Sequence, residues 1–406
     1  MSAPENTLAP VSRRRLLKTM GAVAGTAIAG PRLTSAQARQ TPIGPPSTVT
    51  NPPRDFGPDA PPTTYFTDPD ILVVDPAFGG LVQVNSSIKR LWTGALWAEG
   101  PAWNGLGRYL IWSDIPNNLQ LRWLEDDGRV TVFRNPSNNS NGNTFDFQGR
   151  QLSCEHLTRR VVRYEHDGSI TIIAESFEGK RLNSPNDVVA HPDGSYWFTD
   201  PPYGGQLYEG QPDVAGGPTN AAGRLNPRLG QPPEAGAMKR ELPTSVYRVD
   251  PKGRVARVAT EEQAPDPNGL AFSPDYKRLY VACTGRGPGD TGPGGKGDVQ
   301  VFDVGDGTLS TGKRFNDFVI DDVRCSPDGV RCDVYGNLWC SSNAGRAVGY
   351  NGVTVWNPDG KLIGRIRLPE VCGNICFGGP KRNRLFMAAS QSLYAVYVNT
   401  QGAGPS

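Results

Sequence analysis

Six times along this 406-residue chain a polar residue opens a short apolar segment, a turn containing Asp, Gly or Asn follows, and a β-rich segment comes next. The copies run from Glu99-Gly-Pro-Ala-Trp to Tyr109-Leu-Ile-Trp-Ser-Asp114, from Asn141-Gly-Asn-Thr-Phe to Leu152-Ser-Cys-Glu-His156, and from Asn186-Asp-Val-Val-Ala to Trp197-Phe-Thr-Asp200. The other three run from Asn268-Gly-Leu-Ala-Phe to Tyr280-Val-Ala-Cys-Thr284, from Asp328-Gly-Val-Arg-Cys to Trp339-Cys-Ser-Ser-Asn343, and from Asn374-Ile-Cys-Phe to Phe386-Met-Ala-Ala-Ser390. Most continue into two further strand-like runs around a tight turn, as in Val161 to Tyr164, His166-Asp-Gly-Ser169 and Ile170 to Ile173. Units of about 40–50 residues with four strands each are propeller blades.

The sixth copy ends near Val398 without a last strand, whereas Ile71 to Leu96 holds strand material ahead of the first copy. An all-β, six-bladed β-propeller closed by an N-terminal strand is therefore expected over residues 71–400. The 49 Gly and 37 Pro, about a fifth of the chain, agree with a turn-rich all-β protein. A two-sheet sandwich is the competing architecture, but it gives no reason for six equivalent units. Successive leading residues are 42, 45, 82, 60 and 46 apart, the long intervals holding Gly/Pro-rich insertions near Gly204 to Leu242 and Gly285 to Gly297. These follow second strands, which puts them at one mouth of the channel, as a lid or as plain surface loops.

The start of a blade's first strand and the end of its antiparallel second strand share a mouth of the channel. Two polar rings follow: Glu99, Asn141, Asn186, Asn268, Asp328 and Asn374, then Asp114, His156, Asp200, Thr284, Asn343 and Ser390. Taken singly, Asn-Gly and Asp-Gly at strand starts are ordinary turn chemistry. Their shared register instead points to a common ligand, because burying so many carboxylates and amides around one axis is costly unless a cation or hydrogen bonds offset it. Two carboxylates with neutral amide oxygens suit one hard divalent ion, Ca²⁺ before Zn²⁺, Mg²⁺ or Mn²⁺.

At the N-terminus, Ser12-Arg13-Arg14-Arg15-Leu16-Leu17-Lys18 precedes a mildly apolar run, Thr19 to Ala29, and Ala36-Gln37-Ala38 offers a small-residue cleavage site. Residues 1–38 thus read as a twin-arginine export signal recognised by the Tat machinery, with a periplasmic or secreted product. Residues 39–70 read as a Pro-rich arm. Removing 1–38 takes away five basic residues and Glu5, moving the formal charge from +2 to −2, so no nucleic-acid-binding surface is implied. The apolar run is too short to span a membrane. In an oxidising compartment Cys325 and Cys332 form a candidate bridge, the other five cysteines reading as small strand hydrophobes.

Ala98-Glu99-Gly-Pro-Ala-Trp103, Arg181-Leu-Asn-Ser-Pro-Asn-Asp187, Pro267-Asn268-Gly-Leu-Ala-Phe272 and Pro327-Asp328-Gly-Val-Arg-Cys-Asp333 together resemble the gluconolactonase/senescence-marker-protein (regucalcin) family, and more distantly diisopropyl fluorophosphatase. The resemblance covers about Leu91 to Tyr397. It implies a six-bladed propeller with one catalytic divalent metal, a sugar lactone as substrate, and metal ligation by Glu99, Asn268 and Asp328. Asn186 is implied at the same mouth, as a fourth ligand or a substrate contact. Asn141, Arg181, Asn183 and Asp187 are the further substrate-binding candidates. Some relatives carry the substrate arginine two residues before the Asn-Asp pair; here that place is Ser184, and Arg181 lies five before Asn186. The alternative role of Arg181 and Asn183 is a loop salt bridge or turn.

With such an ion polarising the lactone carbonyl, Asp328 is the expected base toward the attacking water and His156 the other proton-transfer candidate. No Gly-x-Ser-x-Gly elbow, phosphate loop, Rossmann fingerprint or His-Glu-x-x-His helix occurs. A phosphotriesterase-like hydrolase and a non-catalytic sugar-binding propeller are the competing functions on the same scaffold.

Overall fold

Six antiparallel sheets follow one another along the chain, each the four-strand unit expected from the repeat. The structure, a computed structural model, describes Gly57, residues 67–206, 240–285, 297–345 and 347–405. The export signal, most of the arm and most of both insertions lie outside the described residues. Blades 1 to 4 begin with Ala98–Asn104, Ser140–Phe145, Val188–Ala190 and Pro267–Phe272, and blades 5 and 6 with Ser326–Cys332 and Cys372–Gly378. The two-sheet sandwich is not formed.

The segment before the first repeat does two jobs. Lys89–Thr93 pairs with Ser392–Tyr397 and supplies the missing outer strand of blade 6, while Ile71–Val73 adds a fifth strand to blade 5. Residues just ahead of 71 are fastened to this framework. Asp68 accepts from the backbone N–H groups of Asp70 (2.9 Å) and Ile88 (2.8 Å), and buried Asp70 pairs with Arg367 at 3.1 Å.

Apolar side chains on alternate strand positions fill the space between adjacent blades. Trp112, Trp197 and Trp339, each on a second strand, are fully buried, and burying a side chain of this kind contributes roughly 1.5–3 kcal/mol. The junction of blades 1 and 2 differs. Its apolar cluster is small, and Gln120 Nε2 donates to Ser140 (3.1 Å), Asn143 Oδ1 (3.0 Å) and Ser153 (3.2 Å), while Gln151 Nε2 donates to Gln120 Oε1 (3.1 Å). Cys325 and Cys332 are buried free thiols, as are the other five cysteines, so the expected bridge is not made. They pack as hydrophobes in the cluster between blades 4 and 5.

Near the axis a second packing rule applies. The antiparallel register breaks at the polar residue in five first strands, between Glu99 and Ala102, Ser140 and Asn143, Pro267 and Leu270, Pro327 and Val330, and Cys372 and Asn374. Such a bulge turns a side chain out of the sheet's alternation, here toward the axis. A glycine beside the polar residue in every blade but the third lets the next blade approach. A Cβ on Gly100 would lie 2.0 Å from Asn141 O, on Gly142 2.4 Å from Asn186 O, on Gly269 2.3 Å from Asp328 O, on Gly329 2.1 Å from Asn374 Oδ1, and on Gly373 2.1 Å from Glu99 Oε1. Blades 3 and 4 are joined by Thr199, whose hydroxyl donates to Asn268 O at 2.6 Å. The contacts run from blade to blade and close on themselves.

Because main-chain atoms surround it, Gly269→Ala is expected to destabilise the fold by about 1–3 kcal/mol. Gly305→Ala, where nothing lies within 4 Å, should change stability by less than about 0.5 kcal/mol. Urea unfolding of the two variants checks this.

Candidate functional site

The pairs Ala98 with Asp114, Ser140 with Glu155, and Ser326 with Asn343 put strand starts and strand ends on one mouth, as the two-ring reading requires. All six first-ring residues are buried, none more than 5% exposed. Hydroxyls on second strands fasten them through the main chain: Ser113 donates to Asn141 O (2.8 Å), Thr284 to Pro327 O (2.7 Å) and Ser341 to Gly373 O (2.7 Å). Asn186 is held from both sides, its N–H donating to Thr199 O (2.9 Å) and its carbonyl accepting from Gly142 (2.8 Å).

Glu99, Asp187 and Asp328 act on one another electrostatically. Burial first, then the neighbouring carboxylate of Asp187, pushes Glu99 up to about 8, against opposition from the Gly100 N–H, Asn374 and Trp97. Burial and the charges of Glu99 and Asp187 push Asp328 well above the carboxylate range, with the Asn268 amide opposing. Two carboxylates and one amide from blades 1, 4 and 5 are thereby brought together. Beside them, Asn268 Oδ1 and Asn141 Oδ1 are buried with no hydrogen-bonding partner among the described residues. Asp328 opens into a cavity of about 230 Å³ whose walls include Leu96, Trp97, Asn343, Val371 and Ser390.

These residues fit a hard cation. Oxygen donors without protein partners face a pair of carboxylates that resist ionising together, and a dication removes both costs. Among the described residues no three His, Cys, Asp or Glu side chains form a metal-binding group, so amide oxygens must complete any coordination.

The remaining candidates are placed differently. Asp187 is fully buried, and its Oδ2 pairs with Arg331 at 3.1 Å, which occupies it away from solvent. His156 is also fully buried. Its Nε2 lies 3.5 Å from Asn141 Nδ2, and the turn of helix Tyr203–Gln206 covers it so closely that a Cβ on Gly204 would approach its ring to 2.9 Å. Asn183 is buried and bound to Asp200, its N–H donating to Oδ2 (2.8 Å) and its Nδ2 to the carbonyl (3.2 Å). Burial pushes Asp200 up to about 7, against the Asn183 and Ser184 N–H groups and Arg159. Arg181 is exposed, and Nη2 donates to Thr158 O at 3.0 Å. Asp114 accepts from the N–H groups of Leu96 (3.1 Å) and Trp97 (3.2 Å), shaping the cavity wall.

Three neighbours of the carboxylate cluster escape a reading of the repeat. Trp97 precedes the first copy and lies beside Glu99. Tyr203 is buried, donates to Asp266 O (3.0 Å), and has its phenol pushed up by burial and the charges of Asp266 and Asp328. Arg331 sits three residues beyond Asp328, where only the cost of an unpaired buried cation predicts an acidic partner.

A closed ring of six four-stranded blades, with a buried carboxylate and amide cluster at one end of its channel, defines a β-propeller with an axial site. The family model described as SMP-30/Gluconolactonase/LRE-like region matches residues 97–391. The chain belongs to that family. A gluconolactonase of Zymomonas mobilis is 27% identical over 353 residues, spanning 82% of this chain and 87% of that protein. The solved gluconolactonase of Xanthomonas campestris is 33% identical, with a TM-score of 0.65 over 81% of this chain and 94% of its own. A structure described as a calcium-binding regucalcin from Agrobacterium tumefaciens shares the fold at 19% identity, with a TM-score of 0.55 over 78% of this chain and 94% of its own.

The raised Glu99 predicts a pH signature in the metal-free protein. The folded state binds this proton more tightly than the unfolded state, whose value is near 4.5, so the stability that Glu99 contributes is full below about pH 4.5 and is lost as pH rises to about 8. Melting curves in chelator across this range should flatten in Glu99→Gln relative to wild type.

Proposed function

We propose that the chain is a lactonase that opens sugar lactones at the axial mouth, using one divalent cation, Ca²⁺ in the first instance. The observation that carries this reading is the convergence of buried Glu99 and Asp328 beside the unpartnered carbonyl oxygen of Asn268. Membership of the gluconolactonase family and the likeness to two gluconolactonases support the substrate class.

Glu99, Asn268 and Asp328 would hold the ion, with Asn186 as fourth donor. When bound, the cation supplies Lewis-acid polarisation of the lactone carbonyl and compensates the negative charge that develops on its oxygen. The chain's residues supply the rest. The second Asp328 oxygen takes a proton from water as the water oxygen bonds to the carbonyl carbon. The same carboxyl returns that proton to the ring oxygen as the carbon–oxygen bond breaks, and the hydroxy acid leaves. Asn186 and Asn141 orient the sugar hydroxyls, and Trp97 forms one wall of the cavity. His156 acts through Asn141, because complete burial keeps its ring from substrate. Asn183 shapes the mouth through Asp200, and exposed Arg181 belongs to its rim.

The signal-like residues 1–38 support export by the twin-arginine route to the periplasm or beyond. Among the described residues no helix is long and apolar enough to cross a membrane.

The purified protein should hydrolyse gluconolactone, lose that activity in chelator and regain it with Ca²⁺, Zn²⁺, Mg²⁺ or Mn²⁺. Asp328→Asn, assayed with cation in excess of its weakened affinity, should lower kcat by about 10²–10⁴-fold. Turnover that ignores the chelator overturns the metal role, and preferential cleavage of organophosphates in the same assay overturns the substrate class.

A further inference from the structure

Beneath the carboxylate cluster an ion pair crosses the channel. Asp187 stands at the head of blade 3, in the position that glycine occupies in blades 1, 2, 4 and 5, and Arg331 comes from the first strand of blade 5. Nη1 of Arg331 lies 3.1 Å from Asp187 Oδ2 and also donates to Val330 O at 2.7 Å. Asp187 Oδ1 accepts from the Val188 N–H at 2.9 Å. Asp187 is fully buried and Arg331 is 9% exposed.

On its far side Arg331 lines a small cavity of about 40 Å³ that Gly402 to Pro405 help to close, with Ala403 N–H donating to Cys332 O at 2.9 Å. The guanidinium is thus part of a floor between the two mouths. Asp187 remains electrostatically visible to the site, since its charge bears on both Glu99 and Asp328.

We infer that Arg331 is a positioning residue that sets the charge of the axial site at −2, matched to a single dication, by holding Asp187 out of the coordination shell. The buried group contains three carboxylates, Glu99, Asp187 and Asp328, and one guanidinium. Without the guanidinium it would carry −3, with Asp187 free to turn toward the ring. Without the Asp187 carboxylate it would carry −1 and bind a dication weakly. Buried charges at this spacing are poorly screened by salt, so each unit of charge changes cation affinity substantially. The inference rests on the metal-dependent reading proposed above.

The test is a cycle of three variants of the full chain, Asp187→Asn, Arg331→Gln and the double variant, with Ca²⁺ affinity measured by calorimetry and Tb³⁺ affinity by luminescence. Asp187→Asn should weaken Ca²⁺ binding by about tenfold or more. Adding Arg331→Gln to it should restore the affinity to within about threefold of wild type, because the site returns to −2. Arg331→Gln alone should raise the preference for Tb³⁺ over Ca²⁺ by about tenfold.

Arg331→Gln and Asp187→Asn each leave one buried charge unpaired, a carboxylate and a guanidinium; where one of the two does not fold, the other, measured against the double variant, still decides the question. A purely structural pair would lower the melting temperatures of these two variants and leave their cation affinities within twofold of wild type, and that result overturns the inference. A wild-type protein that binds none of the cations overturns the metal reading itself, an outcome visible before any variant is made.

Discussion

The close approach of a glycine in five of the six blades to the next blade's polar residue controls the rest of the structure. At Gly269 and Gly329 the missing side chain is the space into which the next first strand fits, and a Cβ at either position would lie within 2.3 Å of an oxygen of the next blade. That proximity draws the first strands to the axis, and bulges at the same positions turn the carboxylates and amides inward. A fold needing no more than stacked sheets could place larger residues there. This one leaves the centre to small residues and oxygen atoms, and thereby builds a ligand site into its closure.

Sequence alone made the blades legible because their spacing is regular where the loops are short. It made both polar rings legible because strand polarity puts the start of one strand and the end of the next on a common face. The closing strand Lys89–Thr93 followed from counting, since blade 6 lacked an edge partner. What a repeat cannot encode are contacts between residues of distant blades. Asp187 reads locally as a substrate contact because it follows Asn186 at the mouth; only the folded ring brings Arg331 to it from blade 5. The expected Cys325–Cys332 bridge failed for a related reason, since short spacing gives no direction to side chains that the sheet then packs as separate hydrophobes.

The site's chemistry follows from what burial does to a carboxylate. Exposed Asp and Glu would be ionised at neutral pH and would repel each other only weakly through water. Glu99 and Asp328 are buried with Asp187 close by, so both shift upward, and neither holds its charge cheaply without a compensating cation. Unpartnered amide oxygens on Asn141 and Asn268 carry the same implication from neutral groups. His156 offers a contrast, because the turn over Gly204 packs against its ring and keeps it from the cavity, with the Asn141 amide 3.5 Å from its Nε2.

Charge matching then connects the floor of the channel to its mouth. If the third carboxylate faced the ring, a dication would leave the occupied site with net negative charge, and an approaching lactone oxygen would meet weakened polarisation. Pairing Asp187 with a guanidinium removes that excess without removing the residue. Evolution of this scaffold toward another reaction therefore has two separable handles. On the metal-dependent reading proposed above, changes at Trp97, Val371 or Ser390 would alter which substrate fits the cavity, while changes at Asp187 or Arg331 would alter how strongly a bound cation withdraws electrons from it.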